Sequence, residues 1–166
     1  MPDPNSRRPK EVAGPNVTLL GYQDFDSLLD HMRRARAFVF AAEEDFGITP
    51  IEAQACGTPV IAFGRGGVLE TVRGLDVQHP TGVFYPEQSV ASLCAAVRQF
   101  EALETPISQQ ACRHNAERFA IKRFRQEMRA FVEARVAALH LPTDLDLDIV
   151  TPFPSKGLQP SSLNTA

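Results

Sequence analysis

The amino-acid sequence predicts an α/β fold built on a parallel β-sheet. Two short apolar runs, AFVFAA (37–42) and PVIAF (59–63), have the length and composition of strands buried on both faces. Helical patterns stand between the β-prone runs, and strands that alternate with helices favour parallel pairing. The predicted order is β-α-β-α-β, a loop and a fourth strand, and then only helices.

Composition and charge limit the classes of function. The chain has 166 residues, 43% of them hydrophobic, which suits about one globular domain. A net charge of −3 gives no basic field for nucleic acid, so we expect no nucleic-acid partner. No apolar run approaches the roughly 18 residues that cross a bilayer, and the N-terminus lacks the apolar core of a secretory signal. Three widely spaced cysteines form no metal pattern, so reduced thiols and a cytoplasmic location are expected.

The first part of the chain contains one further predicted strand and one predicted helix. Residues 1–15 are polar and rich in Pro and Arg, and we expect a loose segment there. The run VTLLGY (17–22) is β-prone. Apolar residues then recur at helical spacing, and Asp24 or Asp26 can cap this helix.

The second part of the chain is mainly helical. TGVFYP (81–86) predicts the fourth strand, and three amphipathic segments after it predict helices that end near Leu139. Residues 140–166 are rich in Pro, Ser and Asp, which indicates a disordered tail. The predicted domain therefore covers residues 16–139.

The loop EEDFG follows the first buried strand, where open α/β sheets bind ligands. Gly47 allows a turn and a close approach of a ligand to the backbone. Thr49, Pro50 and Glu52 then match a helix start, with an N-cap, a first-turn proline and a capping-box glutamate. The free amides of such a start favour an anion.

The two glutamates of this segment have different structural explanations. Glu52 has a local role as the capping-box residue, or it accepts hydrogen bonds from a ligand, and its spacing alone favours the cap. Glu44 precedes the helix and has no local role, although it could be a solvated loop acid beside Glu43 and Asp45.

The stretch FVFAAEEDFGITPIEAQACGTPVIAFGRGGVLETV resembles the donor-binding motif of GT-B glycosyltransferases of glycosyltransferase family 4. That motif has two glutamates separated by seven residues, a Phe-Gly after the first and an EAxAxGxPVIA run after the second. The matching residues are Glu44, Phe46, Gly47, Glu52, Gly57, Pro59 and Val60, followed by a GGxxE formed by Gly66, Gly67 and Glu70. The resemblance covers roughly residues 16–139, and the acidic EEDFGI form is most similar to mannosyltransferases.

The resemblance implies a Rossmann-like donor-binding domain, a partial GT-B C-terminal domain followed by helices. It implies that Glu44, the candidate catalytic residue, binds the donor sugar and that Glu52 binds the ribose of the nucleotide. Phe46, Gly47 and Ile48 would offer backbone amides to the sugar or the diphosphate.

The GGxxE residues have weaker assignments. Gly66 and Gly67 would let the chain pass close to the donor or would simply form a turn. Glu70 would contact the donor or cap a helix. The family transfers a hexosyl group with retention, from a nucleotide-diphosphate sugar such as GDP-mannose to a glycan or lipid-linked acceptor. It generally needs no metal or other cofactor.

The chain also departs from the family pattern. It lacks an acceptor domain and the Gly-Arg-x-x-x-x-Lys segment whose cations grip the diphosphate in the family. We therefore expect the chain to be incomplete as an enzyme and to need a missing N-terminal domain or chain. The alternative is a non-catalytic nucleotide-sugar-binding or interaction module. The last predicted helix carries four arginines, Arg123, Arg125, Arg129 and Arg135. They form a solvated face, or they hold the protein peripherally at the anionic cytoplasmic surface of a membrane.

Overall fold

The computed structural model describes residues 13–139. In chain order the elements are α1 (Phe25–Arg34), β1 (Phe38–Phe40), α2 (Ile48–Ala55), β2 (Val60–Phe63), α3 (Val68–Thr71), β3 (Gly82–Tyr85), α4 (Val90–Glu101), α5 (Gln109–Glu117) and α6 (Ile121–Ala138). The alternation of helices and strands from α1 to β2, and the helices after β3, agree with the predicted order, but the loop predicted before the last strand contains the short helix α3.

The three strands form one parallel sheet in the order β1-β2-β3. The central strand β2 aligns Val60 with Phe38 on one side and with Gly82 on the other. All four residues of β2 are buried. The predicted parallel α/β fold is therefore confirmed, with the apolar run PVIAF at its centre.

Helices cover both faces of this sheet. Side chains alternate along each strand, so β2 contributes residues to both faces. Ile61 and Phe63 point to a core that includes Val83 and Tyr85, with residues of α4 and α5 packed against it. Val60 and Ala62 point to the opposite face, where the core contains Phe40 and the residues Ala53, Val68 and Val72. Each face of β2 is thus buried against apolar side chains, as its continuous apolar sequence predicts.

Two predicted strand features differ from the structure. Residues 17–22 form no strand, and their large side chains, Val17, Leu19, Leu20 and Tyr22, are exposed. A β-prone run becomes a strand only beside a partner, and the described residues provide none for this run. Only three residues of the run 37–42 form the strand β1, and Val39 is 48% exposed. The predicted burial of this strand on both faces is therefore wrong. Within residues 13–139, β1 pairs only with β2 and is an edge strand.

Side-chain caps begin three of the helices. Asp24 accepts a 2.8 Å hydrogen bond from the Ser27 amide, which confirms it as the cap of α1. This amide lowers the pKa of the Asp24 carboxyl below its usual value. Ser89 and Ser108 cap α4 and α5 in the same way.

The chain divides into two compact units, one up to Arg123 and one from Phe124 onward. The boundary falls near the start of α6. The disordered tail predicted for 140–166 and most of the loose segment predicted for 1–15 lie outside the described residues, and the domain boundary at residues 16–139 stays a prediction. Among residues 13–139, no helix has both the length and the apolar character to cross a membrane.

Candidate functional site

Segments that follow all three strands meet at the carboxyl end of the sheet. The Gly67 amide, after β2, donates a 2.7 Å hydrogen bond to the Glu44 carbonyl, after β1. The Gln88 side-chain amide, after β3, donates a 2.7 Å bond to the carbonyl of Ala41. Open parallel sheets bind ligands at this end, so the loop 41–47, here called the acidic loop, lies where a ligand site is expected.

Gly66 and Gly67 pack directly on the backbone of the acidic loop. A Cβ at Gly66 would lie 2.4 Å from the Glu44 carbonyl oxygen, and one at Gly67 would lie 2.3 Å from that of Asp45. Gly66 also has a φ of 68°, which disfavours other residues. The structure thus gives these glycines a definite role in holding two loops together, and their contact with a donor stays a prediction.

The start of α2 differs from the predicted capping box. The N-cap is Gly47, with a φ of 75° and no side-chain cap, and the helix begins at Ile48. Thr49 and Pro50 therefore lie inside the first turn, and Glu52 is too far along the helix to reach back to the N-cap amide. The capping-box assignment of Thr49, Pro50 and Glu52 is wrong, because the left-handed Gly47 turns the chain into the helix two residues earlier than predicted.

This correction changes the chemistry of the α2 N-terminus. No side chain caps the helix, so its first amides stay available to an external acceptor. The positive end of the helix dipole favours a negative charge at the same place. Ile48 is 65% exposed, and the first turn is therefore accessible from outside.

Both candidate carboxylates are exposed. Within residues 13–139, neither Glu44 nor Glu52 has a side-chain hydrogen bond or an ion pair. Glu52 also lines a cavity of about 300 Å³ between α1 and α2, together with Phe25, Leu29 and Arg33. Because the cap has been excluded, no local structural role for either carboxylate remains among the described residues.

Phe46 connects the acidic loop to the segment after α5. Its ring packs edge-to-face against Phe119, with ring centroids 5.7 Å apart, and 43% of Phe46 stays exposed. The Arg118 guanidinium lies 5.2 Å from the centre of the Phe119 ring. Sequence reasoning did not find Phe119, because no local pattern relates residues so far apart in the chain.

Glu70 lies apart from the Glu52 cavity. It is an exposed residue of the short helix α3 and lines a separate cavity of about 620 Å³ with Arg73 and Arg118. Gly67, not Glu70, is the N-cap of α3, so the interpretation of Glu70 as a cap is wrong. Its contact with a donor stays a prediction.

A buried polar cluster holds α2 against α3 and α5. Gln54 and Asn115 are almost completely buried, and Asn115 donates hydrogen bonds to the Gln54 side chain and to the Thr71 carbonyl. Gln54 donates to the carbonyls of Pro50 and Thr71. This cluster joins α2, α3 and α5, and it fixes the helix whose N-terminus faces the acidic loop.

The cysteines and the other potential metal ligands form neither a disulfide nor a metal cluster among the described residues. All three cysteines are unpaired thiols, and Cys56 and Cys112 are buried. Burial raises the pKa of the Cys112 thiol to about 11. In the part of the chain that the structure describes, no three His, Cys, Asp or Glu side chains come together as a metal site would require.

These features define a class of protein. A parallel sheet between helices, with a glycine-supported loop and an uncapped helix N-terminus at the strand ends, is a Rossmann-like α/β ligand-binding domain. Residues 9–119 match the family described as glycosyl transferases group 1. The chain belongs to this family, as the resemblance of its acidic loop predicted.

The chain is similar to several characterised relatives. It is 39% identical over 88 residues to a D-inositol 3-phosphate glycosyltransferase of Geodermatophilus obscurus, which covers 52% of this chain and 19% of the relative. It is 37% identical over 92 residues to a glycogen synthase of Mycobacterium tuberculosis, covering 55% and 21%. A GDP-mannose-dependent monoacylated alpha-(1-6)-phosphatidylinositol monomannoside mannosyltransferase of Corynebacterium glutamicum is 38% identical over 65 residues, covering 34% and 17%.

A solved structure shares the fold. The sucrose-phosphate synthase of Thermosynechococcus elongatus superposes with a TM-score of 0.63 at 29% identity, over 75% of this chain and 31% of that protein. This similarity confirms the predicted Rossmann-like fold of a GT-B domain. The matches to the three relatives span only 17–21% of the relatives' own length.

Proposed function

We propose that this chain forms the donor-binding part of a retaining glycosyltransferase. The enzyme would transfer a hexosyl group from a nucleotide-diphosphate sugar to a glycan or lipid-linked acceptor. One observation carries the proposal: the unpaired carboxylate of Glu44 lies on a loop whose backbone is bonded to Gly67, next to the uncapped N-terminus of α2.

Each group of this site has a role in donor binding. The Glu44 carboxylate accepts hydrogen bonds from hydroxyls of the donor sugar, and Glu52 accepts them from the ribose. The backbone amides of Phe46, Gly47 and Ile48 bind the diphosphate or the sugar. As the glycosidic bond breaks, negative charge grows on the diphosphate, and amides already aligned with the helix dipole stabilise it without reorganisation.

We propose GDP-mannose as the nucleotide sugar that this site binds. Two observations support it: the acidic EEDFGI form of the loop, and the mannosyltransferase among the similar proteins. The other similar proteins have different names, so UDP-glucose is the necessary comparison in any binding assay.

Isothermal titration calorimetry on the full chain tests donor binding. We expect GDP-mannose and GDP to bind in the micromolar to millimolar range, about −4 to −8 kcal/mol. The absence of heat with GDP-mannose, UDP-glucose and both nucleoside diphosphates at millimolar concentration would exclude a donor site on this chain.

We also propose that activity requires a further polypeptide. Three features support this proposal: the edge of β1 that is unpaired within residues 13–139, the half-exposed Val39, and the exposed apolar side chains of residues 17–22. Sheet edges and apolar runs pair readily with other chains. We expect the purified chain alone to produce no sugar product from bound donor. Turnover by this chain alone would contradict the proposal.

A non-catalytic nucleotide-sugar-binding module is the second candidate function. It requires only donor-binding groups, and the acidic loop and the uncapped start of α2 supply such groups among the described residues. Both candidates predict donor binding, but only the first predicts turnover once the missing polypeptide is supplied. Co-expression with the N-terminal half of a group 1 glycosyltransferase, followed by a donor-hydrolysis or transfer assay, separates them.

A peripheral position on a membrane is proposed for the unit that begins at Phe124. Its helix residues Phe124, Met128 and Phe131 are exposed apolar side chains, and α6 carries more basic than acidic residues. Such a helix suits an anionic surface at the cytoplasmic face of a membrane. Sedimentation with phosphatidylglycerol vesicles, which should retain the chain, and with phosphatidylcholine vesicles, which should not, tests this proposal.

A further inference from the structure

A third cavity lies at the end of the sheet opposite the acidic loop. It has a volume of about 410 Å³, within the range of small-molecule sites. Two of its lining residues, Arg36 and Pro59, come just before β1 and β2, whereas Glu44 follows β1. Because the strands are parallel, these residues mark the amino end of the sheet, and the cavity is separate from the Glu44 loop.

Three arginines line this cavity, and a fourth lies against one of its lining residues. Arg33, Arg34 and Arg36, at the end of α1 and after it, line the wall. Arg113, on α5, lies against the lining residue Gly57, where a Cβ would be 2.7 Å from its Nη2 atom. Gly57 therefore leaves space for a cation, and Arg113 uses it to donate a 3.2 Å hydrogen bond to the Cys56 carbonyl.

Two carboxylates pair with arginines of this cluster, and one of them, Glu101, also lines the cavity. The Arg34 side chain bonds to Asp30 over 2.9 Å, and the Arg36 Nη1 atom lies 3.6 Å from a Glu101 oxygen. Both pairs are well exposed, and such pairs contribute little, so they can exchange for another anion. Across residues 13–139, Arg33 has no hydrogen-bond or ion-pair partner. The cluster is thus a local basic patch on a chain of net charge −3.

Much of the rest of the cavity wall is apolar, although Glu101 and Gln109 also line it. The non-polar lining residues are Pro59, Phe100, Leu103, Pro106 and Ile107. An inorganic ion would leave this wall in contact with water, whereas a ligand with an apolar body would cover it. The planar fork of arginine matches the oxygens of a phosphate group in pairs, which a lysine patch would not do.

We propose that this cavity binds a phosphomonoester carried on an apolar or aromatic body, at a site distinct from the donor loop. The arginines hold the phosphate oxygens, and the apolar wall holds the body. The same chemistry could come from a soluble phosphorylated metabolite or from the headgroup of a phosphatidic acid, and the two sources can be separated by experiment.

Phenyl phosphate and phosphatidic acid vesicles are the probes. Calorimetry on the full chain is expected to show millimolar binding of phenyl phosphate, and Arg36→Gln is expected to weaken it by about fivefold or more. Arg33→Gln should act likewise. Arg98→Gln, which removes an exposed arginine of α4 outside the cavity, is the matched control and should leave binding unchanged. Vesicle binding that depends on Arg36, without phenyl phosphate binding, would also support the site and identify a lipid source.

Three results would overturn the proposal. The first is the absence of binding by both probes, with phenyl phosphate at about 10 mM, a concentration well above the expected millimolar dissociation constant. The second is binding that Arg36→Gln and Arg33→Gln leave unchanged. The third is a loss of GDP binding in Arg36→Gln equal to its loss of phenyl phosphate binding, which would make the cavity part of the donor site. Thermal unfolding of each variant, expected to be unchanged because these side chains are exposed, shows that the fold is intact.

Discussion

The side-chain amide of Asn115 on α5 donates a 2.7 Å hydrogen bond to the side-chain oxygen of Gln54 on α2. Both side chains are buried, and each also donates to the Thr71 carbonyl. The two residues lie 61 positions apart in the chain, so their pairing fixes α2 against α5. The α2 N-terminus that faces the acidic loop therefore depends on a residue far outside the loop motif.

Replacing Asn115 with leucine should destabilise the protein by about 2–4 kcal/mol. The substitution leaves the buried Gln54 oxygen without its donor, and an unpaired buried polar group costs its desolvation. Urea unfolding followed by circular dichroism measures the change. Gln110→Leu, at an exposed position of α5, is the control and should change the free energy of unfolding by less than about 0.5 kcal/mol. Equal stability of the two variants would show that the buried cluster contributes nothing.

A methyl group at Gly67 should separate the two loops of the candidate site. The new Cβ would lie 2.3 Å from both the Asp45 carbonyl oxygen and the Phe46 Cα atom, so backbone must move. We expect Gly67→Ala to cost about 2 kcal/mol or more and to weaken GDP-mannose binding. Gly64→Ala is the matched control, because its Cβ would meet Phe84 at an ordinary 3.4 Å. Thermal unfolding and calorimetry of both variants give the comparison, and donor binding equally strong in both would contradict the loop arrangement.

The two glutamates should respond differently to the nucleotide and to the sugar. If Glu44 binds the sugar, Glu44→Gln weakens GDP-mannose binding by about tenfold and leaves GDP binding unchanged. If Glu52 binds the ribose, Glu52→Gln weakens both ligands by a similar factor. Calorimetry with the two ligands measures this pattern, and Glu43→Gln, at the exposed neighbouring position, controls for lost charge in the loop. The reverse pattern would exchange the two assignments.

Two buried threonines provide a matched pair. Thr71 Oγ1 is buried without a hydrogen-bond partner among the described residues, whereas Thr58 Oγ1 donates to the Met32 carbonyl. We expect Thr71→Val to be neutral or stabilising, because it removes an unsatisfied hydroxyl. Thr58→Val should destabilise by about 1–2 kcal/mol, because the Met32 carbonyl loses its donor. Chemical denaturation of both variants tests the pair, and a larger loss for Thr71→Val would reverse the interpretation.

Cys112 should make the protein less stable in alkali. Its pKa is raised from about 9.0 to about 11 by burial, so the thiol ionises later in the folded state than in the unfolded state. Its contribution is therefore complete below pH 9 and is lost as the pH rises from 9 to 11, by about 3 kcal/mol. Cys112→Ala should flatten this part of the stability profile, and its loss of stability relative to the wild type should be largest below pH 9. Cys94→Ala, at an exposed thiol, should retain the wild-type slope.

Local sequence signals predicted much of the fold and the position of the site. The apolar run of β2 and the Asp24 cap of α1 are each encoded by a few adjacent residues. The family of the chain also followed from one continuous stretch around Glu44. The start of α2 was predicted wrongly from equally local signals, because Gly47 and Thr49 are both acceptable N-caps and only the packed loop selects between them.

The sequence by itself determined the parallel α/β class, the strand at the centre of the sheet and the acidic loop at its carboxyl end. Periodicity and turn chemistry are properties of neighbouring residues, and these features need nothing more. Only the tertiary structure decided that the Gly67 amide donates to the Glu44 carbonyl, that Asn115 supports Gln54 and that three arginines line one cavity. It also decided that residues 17–22 form no strand. These outcomes depend on which distant segments become neighbours, and that is a property of the packed chain.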